Sequence, residues 1–473
     1  MEHHSVIVIG GGISGLATAW WLHKAGHDVV LLEREEKVGG TMRTTRENGW
    51  LIETGPNSAL ETTPLFKTLF ADLHLENEVV YANENSEHRY ILKNGSLHPL
   101  PMSPVTFLRS TLWSTRGKLR LLKEPFIGRA NHEETIAEFV TRRLGKEFLD
   151  YAINPFVAGV YAGNPEQLSV RAAFPKLYAL EEKHGGLIKG QIQGARERRR
   201  RPEKAKDRAR LFSFLNGIEV FPQTLSKFLG PKVQSGVEIE TISIKTSDRL
   251  AEVHSGSHSL CFEINGNKNG RRVQFSSTAV VFAIPAYAVA ELLRPLDSTL
   301  AGLLSKIYYP PVAEVFLGFR EEHIGIPLDG FGFLVPAKER RNILGTIWSS
   351  AIFPHRAPAG FAALTTFVGG SRQPEILDMN DEKLAALVTG ELRSIMNING
   401  EPNYVRVTRW RRAIPQYHLG HLSIIQQVEQ FEKEHPGFFL AGNFRGGIAV
   451  GDCVMSSEKI SGRVSEYLKR SSQ

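Results

Sequence analysis

The chain has 473 residues, 42% of them hydrophobic and 23% charged, which fits a folded protein of two or three domains and excludes global disorder. Its two cysteines, Cys261 and Cys453, are far apart, which argues against a disulfide framework or a cysteine-built metal site and fits a reducing compartment. The net charge of +7 is concentrated in Arg196 to Arg210, where nine Lys or Arg face three acids, and no nucleic-acid module accompanies it, so no nucleic-acid partner is expected.

The first residues carry no charged leader with an apolar signal core, so a cytoplasmic location is expected. Val6-Ile7-Val8-Ile9 reads as a buried strand, followed at once by Gly10-Gly11-Gly12-Ile13-Ser14-Gly15. A helix is predicted over Ser14 to Lys24, and a second strand over Asp28 to Leu32 that ends at Glu33. Together they form one βαβ unit. The stretch from about Gly95 to Leu211 is more helical and contains the basic run. Thr278 to Leu293 is the longest apolar run; Pro285 breaks it, and it is shorter than the ~20 residues of a membrane span, so it reads as strand, turn and helix start. Alternation near Val312 to Phe319 and Ala362 to Val368 predicts a second sheet. Gly437 to Asn443 is a third buried strand of the first sheet, expected to be parallel, and a terminal helix is predicted over roughly Ser456 to Lys469.

Gly10-x-Gly12-x-x-Gly15 is a weak signal alone, but here a strand precedes it, a helix comes after it, and an acid ends the next strand. Gly10 allows the tight turn, Gly12 lets backbone approach a pyrophosphate, and Gly15 lets helix pack on strand. The helix N-terminus offers N–H groups to phosphates. Glu33 is suited to the adenosine ribose hydroxyls, which favours FAD or NAD over NADP. Gly11, Ile13, Ser14 and Arg34 are assigned to the same site.

The residues beyond Glu33 separate the two cofactors. Val38-Gly39-Gly40-Thr41-Met42-Arg43, Glu53-Thr54-Gly55-Pro56-Asn57 and Ala441-Gly442-Asn443-x-x-Gly446-Gly447-Ile448-Ala449-Val450 resemble, in order, three cofactor-lining segments of the amine-oxidase-like flavoproteins. The resemblance implies bound FAD, contacted by Gly40, Thr41, Arg43, Gly55, Pro56, Asn57, Ser58, Ile239, Gly442, Asn443, Ile448, Ala449 and Val450. Cys453 lies just past the last motif, and non-covalent attachment is expected.

The middle of the chain resembles the protoporphyrinogen oxidase family, nearest to its plant members. The resemblance rests on Ala158 to Pro165, Gly330 to Pro336, Leu344 to Ser350, Phe353-Pro354-x-Arg356-Ala357-Pro358 and Thr365 to Arg372. It implies six-electron oxidation of a porphyrinogen, with FAD as hydride acceptor and O2 reduced to H2O2 over three rounds. Such chemistry asks little of side chains beyond orientation, and no catalytic residue is assigned. By the resemblance, Arg89 pairs a ring propionate, Leu334, Ile347 and Phe367 sandwich the macrocycle, and the Gly159 carbonyl approaches the pyrrole N–H groups. Without it, Arg89 reads as a surface charge and the three apolar residues as core. Ala158 stands where the animal enzymes carry an arginine, which leaves a second polar contact in the pocket unassigned.

The resemblance gives an α/β fold with a discontinuous Rossmann-like FAD-binding domain (1–88, 212–298 and 419–473), a mixed-sheet substrate domain (299–418) and a helical membrane-contact insert (89–211). The insert is expected to meet an anionic membrane peripherally, through Val105, Phe107, Leu108, Leu112 and Trp113 with nearby basic residues. A solvated helix with a basic face is the alternative. His418 and His421 read as structural, and no metal site is expected. Open alternatives are a coproporphyrinogen substrate, an amine or carotenoid oxidoreductase, a non-enzymatic membrane-surface adaptor, and a homodimeric assembly.

Overall fold

The computed structural model describes residues 2–86, 88–193, 209–246 and 260–471. Most of the basic run Arg196 to Arg210 lies outside these; within them, Arg210 pairs with Glu61 at 3.3 Å. β1 (Glu2–Ile9), α1 (Ile13–Lys24) and β2 (Val29–Leu32) form the βαβ unit, with β1 and β2 parallel. Alternate residues of β1 feed two cores. Val6 and Val8 pack towards α1 and the terminal helix, whereas Ile7 and Ile9 pack towards helix Ala286–Leu293 on the other face.

Strand Arg271–Phe282 lies beside β1, and strand Phe438–Leu440 beside that, both parallel. The sheet is nevertheless mixed, because Leu260–Lys268 and Val237–Thr246 add antiparallel strands. The terminal helix starts earlier than its polar pattern suggests, running Val450–Ser471, so Val450 belongs to its first turn.

The second sheet has seven strands in the order Tyr404–Trp410, Val312–Arg320, Phe361–Gly369, Gly345–Trp348, Gly330–Leu334, His88–Lys93 and Ser96–Pro99. Its His88–Lys93 strand joins in parallel to Gly330–Leu334, so the chain around Arg89 is part of this sheet, not of the helical region.

Helices dominate from Pro104 to Gln193. Ser103 and Thr135 cap two of them with reciprocal capping boxes. The fully buried Arg143 guanidinium bonds Glu181 at 2.8 Å and Glu124 at 3.2 Å, and Glu124 also accepts from the backbone N–H of Leu187 at 2.7 Å. This network ties segment Leu121–Phe126 to the later helices. Of the apolar residues expected to be exposed here, Val105 and Leu108 are, and two are not. Leu112 and Trp113 are buried, and Phe107 packs on the Trp113 ring. The exposed apolar side chains here are Met102, Val105, Leu108, Leu119, Leu122 and Phe126. Among the described residues no helix is long and apolar enough to cross a membrane.

Candidate functional site

The glycine turn is shaped by what each position excludes. A Cβ on Gly15 would lie 1.8 Å from the Gly10 carbonyl oxygen, so only glycine lets α1 pack there. Gly10 has φ +109, and its Cβ would meet the Ala283 carbonyl at 2.7 Å. A Cβ on Gly12 would meet nothing within 4 Å; the space beside it is open. Gly12 is the N-cap of α1 and no side chain caps the helix, which leaves its first turn to a ligand anion. Ile13 and Ser14 are buried in that turn.

Glu33 comes directly after β2. Its carboxylate accepts from the Gly11 N–H at 2.5 Å and the Glu35 N–H at 2.8 Å, while Arg34 is exposed and pairs with Glu35. Gly39 bridges to Gly12, bringing exposed Gly40 and Thr41 beside the turn, and Arg43 donates to the Gly40 carbonyl at 2.9 Å. Gly55 packs on Thr41, where a Cβ would lie 1.9 Å from the Thr41 carbonyl. Pro56 and Ser58 are half-buried. Ile239 sits at a bulge in its strand, two residues beyond Val237, whose N–H bonds the Glu33 carbonyl at 2.8 Å.

Asn57 is buried. Its side-chain oxygen accepts from Arg356 at 3.2 Å, while its Nδ2 is buried without a hydrogen-bond partner. Arg356 also bonds the Asn57 carbonyl at 2.6 Å, Glu53 at 3.0 Å and Ser213 at 3.1 Å, and so fixes the Glu53–Ser58 loop from behind. The closing loop is held in a comparable way. The Tyr417 hydroxyl donates to the Asn443 carbonyl at 2.5 Å and accepts from the Gly447 N–H at 3.1 Å. Its ring stacks on His421, which bonds the Phe444 carbonyl at 2.9 Å. Burial pushes the His421 imidazole down to about 4. Gly442, Ile448 and Ala449 complete the loop that enters the terminal helix at Val450. Cys453, inside that helix, is buried, and burial pushes its thiol up to about 11.

The strand register assembles the residues assigned to substrate. Residues paired across neighbouring strands point to the same face. One cross-strand row runs Arg89, Gly332, Ile347, Thr365, Phe316; the next runs Ile91, Leu334, Gly345, Phe367, Glu314, Thr408. Leu334 and Phe367 are thus two strands apart, roughly 10 Å, with only Gly345 between them. Leu334, Ile347 and Phe367 stay half-exposed, while their chain neighbours Phe333, Val335, Thr346, Trp348, Thr366 and Val368 are buried. Arg89 is exposed, with its guanidinium carbon 5.8 Å from the centre of the Phe331 ring. Gly159, on helix Asn154–Tyr161, faces Leu334: a Cβ there would lie 2.5 Å from Leu334 Cδ2. A π-helical turn, Leu149–Ile153, precedes that helix.

Four residues outside the expected set shape this site: Glu314, Arg356, Trp410 and Tyr417. Arg356 stood inside a recognised motif, and Glu314 is an acid among the apolar residues Val312 to Phe319. Trp410, which donates to the Thr54 carbonyl at 2.7 Å, and Tyr417 carried no local signal.

Residues 13–465 match the model of the flavin-containing amine oxidoreductase family. The chain is 32% identical to protoporphyrinogen oxidase 2, chloroplastic/mitochondrial, of Arabidopsis thaliana, over 98% of this chain and 94% of that protein. It is 31% identical to coproporphyrinogen III oxidase of Bacillus subtilis, over 95% of each. A crystal structure from Exiguobacterium sp. 255-15, provisionally assigned as a protoporphyrinogen oxidase, superposes with a TM-score of 0.78 at 26% identity, covering 99% of both chains. The chain belongs to the flavin-containing amine oxidoreductases, and within them to the protoporphyrinogen oxidase family. It is an FAD-dependent oxidoreductase of tetrapyrrole biosynthesis. The residues present fit FAD: the space beside Gly12 is open, the α1 N-terminus lacks a side-chain cap, and the buried Asn57 Nδ2 lacks a partner.

Proposed function

We propose that this protein oxidises protoporphyrinogen IX to protoporphyrin IX, with O2 as final acceptor and three H2O2 released per porphyrin. The observation that carries this reading is the pair of cross-strand rows that sets Arg89, Leu334, Ile347 and Phe367 on one sheet face opposite Gly159. When bound, FAD supplies the hydride acceptor. The Gly10–Gly15 turn, Glu33 and Arg34 would hold its adenosine and pyrophosphate. Gly40 to Arg43, Gly55 to Ser58, Ile239 and Gly442 to Val450 would surround the remainder. The chain's own residues orient the substrate: Arg89 holds a propionate, Leu334, Ile347 and Phe367 cover the macrocycle, and the Gly159 carbonyl faces the pyrrole N–H groups. The same side chains exclude water from the reacting methylene bridge.

The reading includes the division into a three-part FAD domain, a substrate domain and a helical insert, and peripheral membrane contact through that insert. A poorly soluble substrate drawn from a lipid surface gives the contact a purpose. Coproporphyrinogen III is the second reading, motivated by the Bacillus subtilis relative of similar identity. The test is an assay of the pure yellow protein with each porphyrinogen, following porphyrin fluorescence and H2O2. Turnover of protoporphyrinogen at higher kcat/KM, with three H2O2 per porphyrin, is expected; preference for the four-propionate substrate would replace it with the second reading.

A further inference from the structure

One side chain on the substrate face has no role in holding FAD or in the substrate contacts assigned so far. Glu314 lies in strand Val312–Arg320, directly opposite Phe367 on one side and Thr408 on the other. It therefore belongs to the same row as Leu334 and Phe367 and points to the same face. Every other residue of that strand from Val312 to Phe319 is apolar and buried. Glu314 is itself 5% exposed, and its Oε2 is buried with no hydrogen-bond partner. Among the described residues no cation pairs with it; Arg356, the buried guanidinium on this side of the molecule, pairs with Glu53. Burial, reinforced by the nearby Glu53 carboxyl and only partly offset by the Trp410 side chain, pushes the Glu314 carboxyl well above the usual range. A buried oxygen left unpaired carries its full desolvation penalty, and a carboxyl retained in an apolar strand at that penalty calls for a donor that arrives from outside the chain.

We propose that Glu314 is a substrate-contacting residue whose free carboxyl oxygen accepts a hydrogen bond from the pyrrole N–H groups of the porphyrinogen, as the second polar contact beside the Gly159 carbonyl. The inference rests on the proposed porphyrinogen oxidation. A porphyrinogen carries four ring N–H donors and no ring acceptor, so an acceptor at the edge of an apolar slot is the complementary group. Phe367 and Leu334 set the height of the macrocycle on the sheet, and Glu314 lies next to Phe367 in the same row. Its contact fixes the rotation of the macrocycle within the slot, which decides which methylene bridge is presented.

The test compares FAD-loaded wild type, Glu314→Gln and Glu314→Leu with protoporphyrinogen IX. Glu314→Gln keeps an acceptor oxygen and is expected to hold KM within about threefold of wild type, whereas Glu314→Leu leaves a donor unpaired and should raise KM on the order of tenfold at unchanged FAD content. A residue that served only the fold would alter FAD content and thermal stability together, without this split between the two variants. Should the leucine variant not fold, infrared difference spectra decide. Protoporphyrinogen added to the dithionite-reduced, oxygen-free wild type, which cannot take up electrons, should shift a carboxyl band that is missing in Glu314→Gln. Unchanged KM in Glu314→Leu, or an unshifted carboxyl band, means that ordered water satisfies Glu314, and overturns the inference while leaving the function intact. A wild type that binds FAD yet oxidises no porphyrinogen overturns the functional reading and the inference with it.

Discussion

Gly159 and Leu334 meet across the interface between helix Asn154–Tyr161 and strand Gly330–Leu334, so closely that a Cβ on the glycine would lie 2.5 Å from Leu334 Cδ2. The contact joins the helical region to the second sheet, on the face proposed to hold the substrate in a slot. Gly159→Ala should therefore push the leucine side chain into the slot. The far end of a leucine moves readily, so stability should change by less than about 1 kcal/mol. Substrate efficiency should fall on the order of tenfold, because misplacing a reacting group by about 1 Å is costly. Equal kcat/KM for wild type and variant would show that the leucine moves out of the slot instead.

Arg89 is exposed at the open end of the same sheet face, and among the described residues no carboxylate lies within ion-pair distance of it. Arg89→Ala should lose a charge-assisted pair worth about 1.5–3 kcal/mol, or roughly tenfold to a hundredfold in kcat/KM, with FAD content unchanged. Lysine at this position should recover part of the loss, since it keeps the charge without the bidentate fork. Wild-type efficiency in the alanine variant would return Arg89 to the status of a surface charge.

Gly12 is where a substitution is expected to separate cofactor binding from folding. Its absent Cβ faces open space, unlike those of Gly10 and Gly15, so Gly12→Val should leave a folded protein. The branched side chain would occupy the pyrophosphate's place, and the purified variant should be colourless. In the wild type, acid precipitation should release the yellow chromophore into the supernatant, because the buried Cys453 thiol resists ionisation and offers no ready thiolate for attachment. Chromophore retained in the pellet would contradict non-covalent binding.

The cofactor turn was legible because each glycine carries a local geometric demand, and the strand, helix and acid that give it meaning are neighbours in sequence. The side-by-side placement of the residues proposed to contact substrate was not. Arg89 and Ile347 share a row only through the Gly332 strand between them, and that pairing spans residues far apart in the chain. The support behind Asn57 was equally hidden, since Arg356 reaches Glu53 from 303 residues away. Two of the five apolar residues expected to be exposed, Leu112 and Trp113, are buried for a related reason, whereas Val105 and Leu108 are exposed as expected. Local apolarity does not say which side chains the protein itself covers, and tertiary packing buried Leu112 and Trp113 while exposing Leu119, Leu122 and Phe126.

His421 makes the closing loop sensitive to acid. Burial depresses its folded-state pKa from 6.5 to about 4, so the neutral ring that bonds Phe444 and stacks on Tyr417 is the stable form. A depressed pKa contributes stability that is fully present above the unfolded value and is lost as pH falls through the folded one. The contribution, on the order of 3 kcal/mol, should disappear between pH 6.5 and about 4. Thermal midpoints measured across that window should drop more steeply for wild type than for His421→Gln, which cannot gain a proton. Parallel curves would assign the acid sensitivity to other groups.

The helical region exposes an apolar set that overlaps only in part with the one expected from sequence: Val105 and Leu108 are shared, and Leu112 and Trp113 are buried. Leu108, Leu122 and Phe126 are 70%, 69% and 88% exposed, and Met102, Val105 and Leu119 are exposed beside them in the same run of chain. Apolar side chains so uncovered, on short helices with basic neighbours, have the character of an interfacial anchor. Part of the local basic charge is turned inward: Lys118 donates to the Leu108 and Ser110 carbonyls, and Arg120 to that of Arg142. Apolar insertion should therefore carry more of the binding than charge does. Co-sedimentation with anionic and neutral vesicles, at low and high salt, separates the two contributions. Wild type is expected to bind both vesicle types, more strongly to anionic ones at low salt. A Leu122→Ser/Phe126→Ser double variant should lose most binding to neutral vesicles, because each buried apolar side chain contributes roughly 1.5–3 kcal/mol. Deletion of residues 196–210 should reduce only the salt-sensitive part, at about 1 kcal/mol per basic residue held near an anionic surface. Binding that survives the double variant unchanged would remove the apolar contact from the mechanism, and no binding to either vesicle would end the membrane proposal.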